Sequence, residues 1–173
     1  MKKLHLLSIA ALLFSVSLFA QPSGYHRVYN TYRGEEGVTS IRVPGLLMKF
    51  AGACAGLDQE ERRLLRSLRS VSVLTVDEPW HYPDLNFAEE MKTSQMRGDY
   101  KLMLEIHDGD EDVIIAVRER RGKITDLLVV VGGEENTLVH VRGRMDCDLL
   151  EELGEVSGIK ELKVTAKLES KEI

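Results

Sequence analysis

YKLMLEIHDGDEDVIIAVRERRGKITDLLVVVGGEENTLVHV, residues 100–141, decides the fold. Tyr100 to Ile106 alternates, with Leu102, Leu104 and Ile106 on one side and Lys101, Met103 and Glu105 on the other. A period of two is the mark of a strand with one buried face. His107-Asp108-Gly109-Asp110 then supplies turn chemistry. Val113–Val117 is a second apolar strand, Arg120-Arg121-Gly122-Lys123 a second turn, Ile124–Val131 a third strand. Gly132-Gly133-Glu134-Glu135-Asn136 turns the chain again into Thr137–Val141. Strands joined by turns this short can only run antiparallel to their neighbours, so the stretch predicts a meander. Its expected buried layer is Leu102, Leu104, Ile106, Val113, Ile115, Val117, Leu127, Val129 and Val139. His140 is expected on the outer face, opposite Val139 and Val141.

Upstream, the period lengthens. Tyr25, Val28, Tyr29 and Tyr32 fall at i, i+3, i+4 and i+7, a short amphipathic helix stopped by Gly34. Gly37–Val43 is a β-like run. Pro44 opens a helix over Gly45–Ala53 that is apolar enough to be largely buried. Asp58 with Glu61 is a capping box for a helix reaching Leu68. Val71–Val76 is a strand rich in valine. Asn86 with Glu89 opens a helix that runs to Gly98. Downstream, Asp146 or Asp148 caps a helix through Leu153, and Ile159–Leu168 alternates weakly as an added edge strand. The class is therefore α+β: an antiparallel sheet of four to six strands with helices packed mainly on one face.

The opening of the chain has a different logic. Lys2 and Lys3 precede a nearly unbroken apolar run from Leu4 to Ala20, after which Gln21-Pro22-Ser23-Gly24 is polar. That is the layout of a signal peptide cut after Ala20, with Leu18 larger than usual three residues before the cut. As a helix the run spans roughly 25 Å, short for a bilayer core of about 30 Å. No cysteine follows it, since the first is Cys54, so lipid anchoring is not expected, and no second long apolar run predicts a span in the mature chain. The expected organisation is residues 1–20 as signal peptide, 21–36 as a short helix and linker, and 37–173 as one α+β domain. The destination is the periplasm or the exterior.

The 173 residues carry 23 basic and 28 acidic side chains. Removing the leader removes two lysines, leaving 21 − 28 = −7. A mildly acidic domain lacks the charge that favours nucleic acid. Arg62, Arg63, Arg66 and Arg69 lie on a helix beside Glu60 and Glu61 and fit a solvated face. In an oxidising compartment Cys54 and Cys147 either form a disulfide or stay as two buried thiols.

Several segments match a known plan: Gly37-Val38-Thr39-Ser40 leading a strand, Leu74-Thr75-Val76-Asp77-Glu78 ending another, and the run Gly122 to Val131 inside the meander. Thr137–Val141, Gly143 and the acidic start at Asp146 continue it. Together these resemble the exported bacterial family known as domain of unknown function 4252, found mostly in Bacteroidetes-type envelopes. The resemblance covers roughly Tyr25 to Gly154. It implies an exported envelope protein, brings an association with envelope signalling, and carries over no catalytic or binding residue.

Few constellations point to chemistry. Asp108, Asp110, Asp112 and Glu119 fall at ligand spacings of a calcium-binding loop, but the obligatory glycine is replaced by Val113 within a strand-forming run. The aspartates, with His107, are therefore at most a weak cation contact on a solvated hairpin tip. Gly132-Gly133-Glu134-Glu135 echoes a cyclase signature and Arg97-Gly98-Asp99 an integrin-type tripeptide, each too short to carry weight. No serine sits in a nucleophile-elbow context, and no cofactor motif is present. Trp80, His81 and Tyr82 lie in a loop bounded by Pro79 and Pro83; Trp80 either plugs the end of the core or presents a recognition surface. The expected function is a non-enzymatic interaction or sensing module with an envelope protein as partner. The alternative is a small-ligand or metal-binding protein, or an enzyme, whose site is assembled only by the fold.

Overall fold

The computed structural model describes residues 24–93 and 100–145. Six strands form one antiparallel sheet in the order β1-β2-β6-β5-β4-β3. They are β1 (Val38–Pro44), β2 (Leu68–Val76), β3 (Tyr100–Asp108), β4 (Glu111–Arg120), β5 (Lys123–Gly132) and β6 (Thr137–Met145). The last four are the expected meander. The second turn uses Arg121 and Gly122, both at positive φ (56° and 66°), the backbone twist that suits a two-residue hairpin. β2 then pairs with β6, Val73 opposite Val139, and β1 adds the outer edge.

Among the described residues four helices accompany the sheet: α1 (Gly24–Tyr32), α2 (Gly45–Cys54), α3 (Gln59–Ser67) and α4 (Phe87–Thr93). They divide evenly between its faces rather than lying mainly on one. Tyr25, Val28 and Tyr29 of α1 and Phe87, Ala88 and Met91 of α4 pack on Leu74, Ile114, Leu128, Val130 and Leu138. Met48 of α2 and Leu64 of α3 pack on Ile115, Val117, Leu127, Val129 and Val141. The reason lies in the central strands. Val113–Val117 and Leu127–Val131 are apolar at every position, so both of their faces need cover. Each fully buried Leu, Ile or Phe among these contributes on the order of 2 kcal/mol.

Ile115, Val117, Leu127 and Val129 hold the buried places expected of them, with Leu104, Val113 and Val139 partly buried beside them. Leu102 does not: it is 45 % exposed. A bulge between Leu102 and Leu104 shifts the register there, and Met103 packs against the core instead. One extra residue reverses the facing of what precedes it.

α1 is part of the core, since Tyr25 and Val28 are fully buried. α3 starts at the expected capping box, Asp58 accepting from Glu61 N (2.9 Å) and Glu61 from Asp58 N (3.0 Å). Asn86 caps α4, its Oδ1 accepting from the amides of Ala88 (2.9 Å) and Glu89 (3.0 Å). α2 departs from expectation. Only Gly45, Met48 and Gly52 are buried, while Leu46, Leu47 and Phe50 face outward. The expected leader, the helix to Leu153, the strand Ile159–Leu168 and Cys147 lie outside the described residues. Cys54, at the end of α2, is exposed and its thiol is free, which corrects the alternative of a buried thiol at that position.

Candidate functional site

Strand register lines up one charged row across the sheet. Tyr100 lies opposite Arg118, Arg118 opposite Asp126, and Asp126 opposite Arg142. Asp126 is buried at the head of the apolar run Leu127–Val131, so its charge has to be met locally. Arg118 Nη1 lies 3.7 Å from its Oδ2 and Arg142 Nε 3.5 Å from its Oδ1. Thr125 Oγ1 donates to Oδ2 at 2.9 Å. The Arg118 guanidinium also stacks 4.3 Å above the Tyr100 ring, a cation–π contact. Burial pushes the Asp126 carboxyl upward. The hydrogen bonds from His140 and Thr125 and the charge of Arg118 outweigh it and hold the group down at about 2. Burial likewise pushes Tyr100 up to about 12.

His140 comes from the next row, where it faces Leu128 on one side and Ser72 on the other. It lies opposite Val139 and Val141 as expected, but that face is covered. His140 is 3 % exposed, and the Tyr25 ring of α1 sits over it with centroids 4.0 Å apart. Its Nε2 is 3.2 Å from Asp126 Oδ1 and 3.3 Å from Tyr100 Oη. The ionised carboxylate can only accept, so Nε2 carries the proton of this contact. Nδ1, Ser72 Oγ and Tyr25 Oη are buried with no hydrogen-bond partner among the described residues.

Carboxylate, imidazole and serine are thus neighbours, the residue types of a charge-activated nucleophile. Yet Ser72 is sealed beneath Tyr25, and a nucleophile needs access to its substrate. What holds α1 here is ring packing, the Tyr25 ring lying over the His140 ring that is itself tied to Asp126. Beside it, Arg69, Arg118, Arg120 and Arg142 line an open cleft of about 290 Å³ with Asp126 and Thr125 on its wall. Sequence reading missed this site. The one visible signal was Asp126 itself, a lone charge inside Ile124–Val131.

The aromatic loop does not converge on a pocket. Trp80 is 68 % exposed, which overturns its reading as a core plug. The two residues after it are fastened: Tyr82 Oη donates to the Glu36 carbonyl (2.8 Å), and His81 Nδ1 lies 3.5 Å from Glu78 Oε2. The loop is closed on Gly37, whose carbonyl accepts from the amides of Asp77 (2.8 Å) and Glu78 (3.1 Å). Gly37 has φ +72°, and a Cβ there would meet Glu78 Cβ at 2.7 Å. Trp80 is held out on a braced platform.

The three aspartates part company. Asp108 pairs with Glu111 at the hairpin end, whereas Asp112 pairs with His107 and points to the other sheet face. Asp112 is buried, 2.6 Å from His107 Nδ1, and accepts from Asn86 Nδ2 at 2.9 Å. The His107 contact, against the upward push of burial, holds its carboxyl below the ordinary range. Asp108, Asp110 and Glu111 instead border Glu134 and Glu135 around an open acidic cleft. Among the described residues no three such side chains are placed to hold a metal ion. The glycines of Gly132-Gly133 serve close packing: a Cβ on Gly132 would overlap Asn86 Oδ1 and one on Gly133 would overlap the Asp110 carbonyl.

Among the described residues no helix is long and apolar enough to cross a membrane. No curated protein and no solved structure shows a match. A family model described as Domain of unknown function (DUF4252) matches residues 32–153, which takes in all six strands and three of the four helices. On that match, over more than half of its length, the chain belongs to the DUF4252 family.

Proposed function

We propose that this protein is an exported, non-enzymatic interaction module of the cell envelope, and that the Trp80 loop is its recognition surface. The observation that carries the reading is the exposure of Trp80 on a loop whose neighbours are tied down. A rigidly presented tryptophan offers large contact area with little ordering cost, the profile of an interface anchor. The leader-like residues 1–20 and the family's envelope setting support the compartment. The test is affinity capture from an envelope fraction with residues 21–173, compared with Trp80→Ala. A specific co-eluting protein is expected to be lost in the variant while its unfolding free energy stays within about 0.5 kcal/mol. Equal capture by both proteins, or recovery of the chain from cytosol with an intact N-terminus, would overturn the reading.

A second reading, a binder of small oxyanions, is favoured by the arginine-lined cleft. Planar guanidinium groups suit phosphate and carboxylate groups. Titration with inorganic phosphate, followed by amide NMR, is expected to give saturable shifts around Arg118 and Arg142 that Arg142→Gln weakens about tenfold. Shifts that grow linearly with phosphate would remove this reading.

A further inference from the structure

α2 follows β1 directly and turns the wrong side outward. Leu46 is 80 % and Phe50 70 % exposed, Leu47 lies beside them, and Ile41 of β1 is exposed on the strand that leads into the helix. Four of the six large apolar side chains that the described residues expose belong to this one corner. Cations border it. Lys49 falls between Leu46 and Phe50 on the helix, and Lys49, Arg62 and Arg66 line the groove of about 230 Å³ between α2 and α3. The chain as a whole has net charge −5, so this corner carries the sign opposite to the molecule's.

We infer that the α2 face is a peripheral docking site for an anionic phospholipid surface. Protruding apolar side chains flanked by lysine and arginine are what lets a helix lie in a membrane interface without crossing it. Long basic side chains place their stems along apolar surface and their charges at the headgroups. A second copy of the chain fits less well. Two-fold pairing through α2 would bring Lys49, Arg62 and Arg66 against their own equivalents, and like charges across an interface oppose it. A bilayer is also soft enough to receive side chains that stand out from a helix rather than line a pocket.

The experiment uses residues 21–173, which contain every residue of the described fold. An environment-sensitive dye on Cys54, in a Cys147→Ser background, reports on the end of α2. Vesicles with about one-third phosphatidylglycerol are expected to shift the dye emission to the blue, neutral phosphatidylcholine vesicles are not, and added salt is expected to weaken the effect. Leu46→Asp with Phe50→Asp alters two exposed positions, so circular dichroism is expected to stay native while vesicle affinity falls about tenfold or more. Lys49→Gln with Arg66→Gln is expected to weaken binding and flatten its salt dependence. Four results would overturn the inference. They are absence of binding to anionic vesicles, and equal binding by wild type and the Asp variant. The third is a concentration-dependent dimer abolished by the same Asp substitutions. The fourth is a dye already shielded in the free monomer, which would mean that residues 146–173 cover the face.

Discussion

Replacing Asp126 with alanine is expected to lower the free energy of unfolding by about 3–5 kcal/mol, the cost of removing one partner from a buried ion cluster. Arg118, three-quarters shielded, loses its counter-charge, and His140 Nε2 loses its acceptor. Urea denaturation followed by far-UV circular dichroism measures the loss, which is meaningful if the slope against denaturant stays unchanged. Asp126→Asn separates charge from shape. The wild-type carboxyl titrates at about 2 when folded, below its ordinary 3.8. A folded value lower than the unfolded one means that the carboxylate stabilises the fold above pH 4 and that this contribution fades as pH falls toward 2. After allowance for the half-exposed Arg142, it amounts to roughly 2 kcal/mol. The asparagine variant is therefore expected to start lower at neutral pH and to show a flatter acid limb. An alanine variant within 1 kcal/mol of wild type would show that the charged row is ornamental to stability.

Asn136→Ala is expected to cost about 3–4 kcal/mol, from three hydrogen bonds, one buried and two partly buried, lost together. Its Oδ1 accepts from Phe87 N, and its Nδ2 donates to the carbonyls of Leu85 and Gly133, each at 2.8 Å. Its own carbonyl accepts from Val76 N at 3.0 Å and survives the substitution. One side chain thus ties the start of α4 to the turn between β5 and β6 while Phe87 fills the core beneath. Hydrogen exchange gives a second readout: protection over 86–92 is expected to fall more than protection in β4 and β5. Uniform loss across the sheet would show that Asn136 acts on the whole fold rather than on this joint.

What was legible in the residues was local. Period two, short turns and capping pairs identified the meander, both flanking strands and the helices, because each depends on neighbours in sequence. What was not legible was set by bulges. Between Arg118/Glu119 and Ile124/Asp126 the register slips, and this slip puts Asp126 opposite Arg118. A hairpin counted evenly out from Arg120 and Lys123 sets Thr125 there instead. Nothing in Glu119 or Thr125 announces the extra residue. The same blindness displaced Leu102. His140 was misjudged for another reason: its face was known, but whether a helix covered that face was not. The doubly apolar runs in β4 and β5 held that answer, and α1 supplies it through Tyr25. Trp80 was undecidable because a tryptophan fits a core end and an interface equally well.

The seam between β2 and β6 has a kinetic consequence. Leu68 through Thr75 must find Gly143 through Thr137, across everything the meander contains. Closing so long a loop costs entropy before any contact rewards it, so high contact order makes this junction slow to form. A nascent chain emerging in order holds β2 paired with β1 on one edge only, its other edge open until the last described strand arrives. Such a polypeptide stays threadable for most of its synthesis, and the arrival of β6 commits it to a shape.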